Sequence, residues 1–464
     1  MRQIIIHIAT AALLCGCSAY RNFESPEVET DNLYRDVSSL CAGGDTISLG
    51  DLSWREMFRD PKLQQLISQG IASNVDLQSA QLRVEQAAAT LMSARLAFVP
   101  SFTLSPEGAL SRYDGSTTKT YGIPLAASWE VDIFGSLHNA KQRSKAVLAQ
   151  SKAYRQAVQT QLVATIADGY YTLLMLDRQL AISRRTAENW KESVETMRSL
   201  KEAGIANEAA VAQSEASYRS VRASIPDLEY RIRETENALC SVLGQTPQKI
   251  DRGTWRTLEL PGVIATGIPL RLLSARPDIK QAEMALASAY YTTNEARAAF
   301  YPRITINGTG SWTNNAGAVI ANPGKLLLSA VGSLVQPIFN RGLNRAKLRV
   351  AKAQQQEALL EFQQSLLNAG EEVSNACYRY TQSERKLAER REQLVALHGS
   401  VAATQELMRN GDATYLEVLT AQQSLLAAQL SESEDEFEQV AALVSLYRAL
   451  GGGREIEAQP QNNE

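Results

Sequence analysis

Sliding the sequence against itself brings Val75–Leu110 into register with Pro277–Trp312 at an offset of 202 residues. Asp76 falls on Asp278 and Ala80 on Ala282, while Ala94, Arg95, Ala97, Phe98 and Pro100 fall on Ala296, Arg297, Ala299, Phe300 and Pro302. The register then drifts only to 207: Phe134 meets Phe339, Ala140 and Lys141 meet Ala346 and Lys347, Gly204 meets Gly411, and Leu243–Gly244 meets Leu450–Gly451. A chain with this self-similarity must fold as two copies of one unit, so the repeat constrains the fold before any single element does. The copies cover residues 61–244 and 268–451, joined by a linker, 245–267, that carries Pro247, Pro261, Gly253, Gly262 and Gly267.

Each copy reads as helix, strand, strand, long helix, helix. Lys62–Phe98 has helical periodicity and stops at Pro100, which lacks the donor needed to continue. Alternation then predicts strands at about 101–110 and 121–133, and in the second copy at about 303–312 and 326–339. In 121–133, Ile123, Leu125, Ala127, Trp129, Val131 and Ile133 share one face, and Gly122, Pro124, Ala126, Ser128, Glu130 and Asp132 share the other. Strands of about ten residues are long enough to cross a bilayer when tilted, and a soluble sheet has the same alternation. Four strands do not close a transmembrane barrel, whose smallest forms use about eight. If these strands enter a membrane, several chains must share one barrel, because open edges are not tolerated in hydrocarbon.

The long helices are predicted over about 140–203 and 343–410. The first is proline-free and would run about 95 Å. In the second, Leu359, Leu366, Val373, Tyr380, Leu387, Leu394, Val401 and Met408 recur every seventh residue, a coiled-coil signature. Both end in glycine-bearing turns, at Gly204 and Gly411, before a shorter helix returns, Glu208–Leu243 or Thr414–Leu450. One long helix is therefore expected to pack against two stacked shorter ones in each copy.

The amino terminus reads as an export signal over residues 1–16, with Arg2 supplying charge and Ile4–Leu14 the apolar stretch. Leu14-Cys15-Gly16-Cys17 resembles a lipobox, which places an acyl anchor on Cys17; plain signal cleavage is the alternative. Residues 17–60 then read as an extended segment and 452–464 as a disordered tail. Cys41, Cys240 and Cys377 fit neither a metal spacing nor a small disulfide framework. Cys240 and Cys377 are expected as buried thiols within helices.

The net charge of -3 and pI near 5.9 supply no electrostatic footprint for nucleic acid. Three histidines, with His138 and His398 far from any partner motif, make a poor basis for catalysis or metal binding. No P-loop, dinucleotide fingerprint, GxSxG elbow or HExxH occurs, so neither an enzyme nor a cofactor or metal is expected.

Trp54-Arg-Glu-Met-Phe58 with Asp60-Pro61, Asn74-Val-Asp-Leu77, Trp129–Gly135, Leu272–Ile279 with Ala282-Glu283, and Phe300-Tyr-Pro302 together resemble the TolC-like outer membrane factors, most closely the NodT-type lipoprotein branch. Ala275 departs from the pattern, where members often carry a second Arg. The resemblance implies a mainly α fold with a small transmembrane β part. It further implies a homotrimer with one twelve-stranded barrel continued by a helical coiled-coil barrel. It implies passive efflux of drugs, solvents, dyes or metal ions, fed by a periplasmic adaptor and an inner-membrane pump, usually of the resistance-nodulation-division class. The same architecture also serves type I protein or peptide secretion.

In that frame the two glycine turns lie at the periplasmic tip, so Gly204, Glu208, Arg409, Gly411, Asp412, Tyr415, Leu416 and Glu417 are the candidate gate and adaptor-contact residues. Ala413 stands where some relatives carry an acid, so Asp412 is expected to substitute, or the gate to be apolar through Tyr415 and Leu416. Glu130 and Asp132 are candidate lumen residues; the other reading of Asp132 is a brace for the strand-to-helix junction at Phe134-Gly135.

Overall fold

The computed structural model describes residues 22–26, 50, 52–255, 276–316 and 319–453, leaving out the side chains of residues 113 and 316–323. In chain order the elements are α1 (Trp54–Met57), α2 (Pro61–Ser73), α3 (Val75–Leu96), β1 (Ser101–Leu104), β2 (Glu107–Tyr113), β3 (Ser116–Val131), α4 (Ser136–Glu202), α5 (Glu208–Val242), α6 (Pro277–Ala298), β4 (Arg303–Ala316), β5 (Val319–Val335), α7 (Leu343–Asn410) and α8 (Tyr415–Ala449). They form two compact units, and each unit draws on both sequence copies.

One unit contains Gln81–Tyr154 and Lys280–Ser365 with the stretch 22–26. Its antiparallel sheet has the order β1-β3-β4-β5, with β2 also paired to β3. The expected strand over 101–110 is interrupted because Pro106 has no N–H to donate. β1 and β2 therefore lie one after the other on β3, and Ser105 N donates to Pro124 O across the gap at 3.1 Å. β3 begins at Ser116, earlier than expected, and β5 covers Val319–Val335 where 326–339 was predicted.

Register sorts the two faces. Ile123 opposes Trp312, which opposes Leu326; Leu125, Gly310 and Leu328 follow, then Trp129 with Ile306. Phe102, Leu104, Ile123, Leu125, Ile306, Trp312 and Leu328 on this face are all exposed in the protomer. Opposite it, Ser128 hydroxyl donates to Asn307 Oδ1 at 2.8 Å, and the Thr305 and Ser333 hydroxyls hydrogen-bond to each other at 2.5 Å. In the same unit Phe23 N donates to the Tyr291 hydroxyl at 3.1 Å, with its ring 5.8 Å from that of Tyr290.

The other unit holds α1, α2, most of α4 and α7, and all of α5 and α8. Ser53 and Glu56 form a capping box on α1, and Asp60 caps α2 ahead of Pro61. The core joins Trp54, Phe58 and Ile67 to Ile166, Tyr170 and Leu174 of α4, Leu239 and Cys240 of α5, Val373 and Cys377 of α7, and Leu443 and Tyr447 of α8. Cys240 and Cys377 are buried free thiols. Trp54 and Phe58, quoted above for the family likeness, are thus core side chains.

The helix expected over 62–98 breaks at Asn74. Its backbone is extended, its Oδ1 accepts Leu77 N at 2.9 Å, and its Nδ2 donates to Val242 O at 2.9 Å. At the matching place in the second copy Arg276 donates to Ala449 O at 2.6 Å. Val242 and Ala449 are themselves a repeat pair, offset by 207. Both copies therefore tie the carboxyl end of the returning helix to the start of the helix that leads to the sheet, one with a neutral amide and the other with a cation.

Candidate gate at the paired helix turns

α4 and α7 hold 67 and 68 residues, each about 100 Å long at 1.5 Å per residue. Their final turns are built alike. Gly204 N donates to Lys201 O and Ile205 N to Leu200 O, both at 2.9 Å; Gly411 N donates to Met408 O at 3.1 Å and Asp412 N to Leu407 O at 2.9 Å. This doubled pattern is a Schellman cap, which needs a left-handed residue just past the helix, and Gly204 and Gly411 supply it with φ of +75° and +84°. Gly204→Val or Gly411→Val puts a β-branched residue there at a cost of about 1–2 kcal/mol. Hydrogen exchange at the substituted turn is expected to quicken while the sheet amides stay protected; unchanged exchange would show that the turn does not depend on its glycine.

The turns differ in what holds them shut. On the first, Asn207 Oδ1 accepts Ala210 N at 2.9 Å and Lys201 pairs with Glu208. Further back, Arg198 bridges to Glu215 at 2.9 Å and Arg184 to Glu229 at 2.6 Å, stitching α4 to α5. On the second, Thr414 makes no side-chain cap, and its hydroxyl approaches Glu417 Oε1 at 3.3 Å. Arg409 pairs with Glu406 on its own helix at 3.5 Å, and both are largely exposed. Among the described residues no ion pair joins 392–410 of α7 to 415–434 of α8. The stitching resumes only deeper, where Asp435, nearly inaccessible, receives Lys386 at 2.7 Å and Arg390 at 2.8 Å. Arg178 of α4 joins the same region by pairing with Glu432 and Glu436 of α8.

Tyr415 is not free to line an opening. Its ring joins the cluster of Ala187, Trp190, Val221 and Leu419 between α4, α5 and α8, and burial pushes its hydroxyl up. Leu416 stays exposed, as do Ile205 and Leu407. Asp412 and Glu417 are exposed as well. Asp132 accepts the His138 backbone N–H through Oδ2 at 2.7 Å, which makes it a brace on the first turn of α4. Glu130 lies on the polar face of β3, opposite Thr305. Cys17 and Cys41 lie outside the described residues.

The α4–α5 stitching and the Asp435 site were not foreseen from sequence. The acidic side of the Asp435 site is legible in the run Glu432–Glu438, but which bases meet it depends on helix packing. Among the described residues no three His, Cys, Asp or Glu side chains converge as a metal site, and no helix is long and apolar enough to cross a membrane.

The cation efflux system protein CusC of Escherichia coli O6:H1 is 27% identical over 458 residues, 97% of this chain and 98% of its own. The toluene efflux pump outer membrane protein TtgC of Pseudomonas putida is 28% identical over 479 residues, 98% and 96% of the two chains. The MtrE outer membrane channel of Neisseria gonorrhoeae, solved in its open state, matches with a TM-score of 0.84 at 25% identity, covering 94% of this chain and 98% of that one. The model of the outer membrane efflux protein family matches residues 66–245 and 268–452, nearly the two repeats in full. By that match, the chain belongs to the outer membrane efflux protein family.

Proposed function

We propose that this chain is the outer-membrane duct of a tripartite efflux system. It conducts small molecules passively from an inner-membrane pump, of the resistance-nodulation-division class, through a periplasmic adaptor to the outside. The observation that carries this reading is the sheet: one face is apolar and exposed, the other is polar along β4 and mixed on β3 and β5, and the outer edges of β1/β2 and of β5 pair with no described strand. An exposed apolar face of this extent marks an interaction surface, and in hydrocarbon such edges must be closed. Three copies, each giving four strand positions, close a barrel of about twelve strands, within the range of outer-membrane barrels.

The helices of the same unit support closure between copies. Leu82, Met92 and Leu96 form an exposed heptad stripe on α3, and Leu343, Val350 and Leu360 form one on α7. Unpartnered seams of this spacing fit the flank of a second copy. Two tandem repeats then supply equivalent wall segments. The lipid anchor is Cys17: Phe23 is held six residues further on, within about 20 Å of chain reach.

The turn at Gly411 is the moving part of the gate. The α4–α5 hairpin is stitched to its tip and the α7–α8 hairpin is not, so a partner that favours splayed ends shifts α7 and α8 at the lower cost. Gly204, Glu208 and Glu417 sit where an adaptor would grip the turns. Asp412 is exposed and Arg409 is held only by the exposed Glu406 of its own helix, so both can meet charges on neighbouring copies. Asp412→Ala with Arg409→Ala is expected to raise single-channel conductance in planar bilayers; unchanged conductance would remove the ion-pair gate and leave Leu416 as the closure.

CusC and TtgC are named for cations and toluene at nearly equal identity, so likeness does not select a substrate. Gene deletion tests the reading as a whole. Raised susceptibility to drugs, solvents or metals with an unchanged secreted-protein profile is expected. Unchanged susceptibility with one missing secreted protein would make this a type I secretion duct instead.

A further inference from the structure

The chain is slightly acidic overall, yet the stretch after each exit from the sheet is purely basic. Ser136–Tyr154 carries Lys141, Arg143, Lys145 and Lys152 with no Asp or Glu, and Asn340–Gln356 carries Arg341, Arg345, Lys347, Arg349 and Lys352 with none. Both stretches open a helix, where the macrodipole favours acids and penalises bases. α3, α5, α6 and α8 follow that preference with Asp76, Glu208, Asp278 and Glu417; α4 and α7 have no acid in the first turn. Local helix energetics therefore do not explain the bases.

Packing accounts for few of them. Arg143 pairs with Glu295 at 2.7 Å, and the Lys141 ammonium lies over the Phe98 ring at 5.6 Å. Lys145, Lys152, Arg345, Arg349 and Lys352 are exposed and meet no carboxylate among the described residues. Arg345, Arg349 and Lys352 recur at helical spacing on one face of α7, as Lys145 and Lys152 do on α4. On α7 that face differs from the side against α6, where Ala351 O accepts the Thr293 hydroxyl at 3.1 Å. It also differs from the apolar stripe at Leu343 and Val350.

Both stretches stand at one end of the sheet. Ser101 opposes Ser128, Val131 opposes Ile304 and Arg303 opposes Val335, so all four junctions with helices share that end. The apolar strand face reaches that end through Trp129, whose indole N–H donates to Phe98 O at 3.0 Å, and through Val131, Ile304 and Leu334.

We propose that these bases form a collar that binds the anionic phosphodiester headgroups of the membrane leaflet on the helix side of the bilayer. The proposal rests on the reading that the apolar strand face lies in that bilayer. Arg345 to Lys352 covers about 10 Å of helix, against a headgroup layer of about 5–7 Å, and long basic side chains reach back to close the difference; Lys145 lies at the depth of Lys352, whereas Lys152, about 24 Å into α4, stands outside the collar. Each base near an anionic surface strengthens binding by roughly five-fold. The collar fixes how deep the assembly sits and keeps its helices upright.

The test uses the full-length purified protein with vesicles of phosphatidylcholine alone or with phosphatidylglycerol added, followed by flotation and mass spectrometry of retained lipid. Wild type is expected to float with both vesicles and to keep phosphatidylglycerol through detergent washing, in a manner weakened by high salt. Changing Lys145, Arg345, Arg349 and Lys352 together to Gln should cut phosphatidylglycerol retention at least ten-fold and leave flotation with phosphatidylcholine unchanged. Equal retention by the variant, or wild-type retention without preference for the anionic lipid, overturns the collar alone. Altered ion selectivity of the pore with unchanged lipid retention also overturns it, by placing the bases in the lumen. Failure of wild type to float with either vesicle overturns the membrane-crossing reading and the collar with it. If the variant does not assemble, the salt response and lipid preference of wild type decide.

Discussion

Leu125→Arg combined with Leu328→Arg is expected to abolish assembly in the outer membrane, whereas Thr309→Arg with Ser329→Arg should be tolerated. Leu104, Leu125, Gly310 and Leu328 form one row across the sheet, between the rows of Trp312 and Trp129 and nearer the first. Leu125 and Leu328 are 48% and 73% exposed in the protomer, which is costly in water and favourable in hydrocarbon. An arginine at the bilayer midplane of a barrel costs about 2–4 kcal/mol, so two in each of several copies exceed the margin of an ordinary fold. Thr309 lies between Ala126 and Ser329 on the other face, where a lumen would accept charge. Heat-modifiable migration of the oligomer and susceptibility in cells read the result together. Survival of the Leu125/Leu328 variant with normal migration would mean that this face does not meet lipid.

Much of this architecture can be read from residue order, and the reasons it can are specific. The heptad from Leu359 to Met408 is buried or half-buried throughout, because a seam repeated every seven residues has only one way to face a partner. Gly204 and Gly411 mark the turns because no other residue adopts a left-handed cap cheaply. Alternation over Ile123–Ile133 identifies the apolar face because strand side chains repeat every two residues. Where the reading fell short, tertiary partners decided. Asn74 sits within an unbroken helical pattern, and it ends α2 because its amide finds Val242 O and Leu77 N. Tyr415 looks like a gate residue by position, yet the packing of α8 against α4 and α5 half-buries it against the cluster of Trp190 and Leu419. The unequal stitching of the two hairpins is likewise invisible in composition, since both contain ample charge.

Arg276→Ala is expected to destabilise the unit that contains α7 and α8 by about 3 kcal/mol. The guanidinium is 7% exposed and fully used: Nε and Nη2 donate to the two oxygens of Asp278 at 3.0 and 2.6 Å, Nη2 also reaches Glu372 at 2.7 Å, and Nη1 holds Ala449 O at 2.6 Å. Asp278 and Glu372 remain nearly half exposed, so their orphaned charges turn to water and the loss stays below that of a fully buried pair. Lysine can keep the charge but not this four-way geometry, so Arg276→Lys should recover only part of the loss. Asn74→Ala, at the matching place in the first copy, removes neutral hydrogen bonds and should cost about 1–2 kcal/mol. The two sites also differ in their response to acid. Burial raises the Asp278 carboxyl, but the hydrogen bonds and charge of Arg276 outweigh it and hold the group below its usual range. A depressed carboxylate contributes stability above its unfolded pKa of about 4 and loses it as the pH falls further. The difference in thermal stability between wild type and Arg276→Ala should therefore narrow as pH falls below about 4, while the difference for Asn74→Ala stays constant. A gap at Arg276 that persists unchanged to lower pH would mean that the tie to Ala449 O carries the whole effect and the ion pair none.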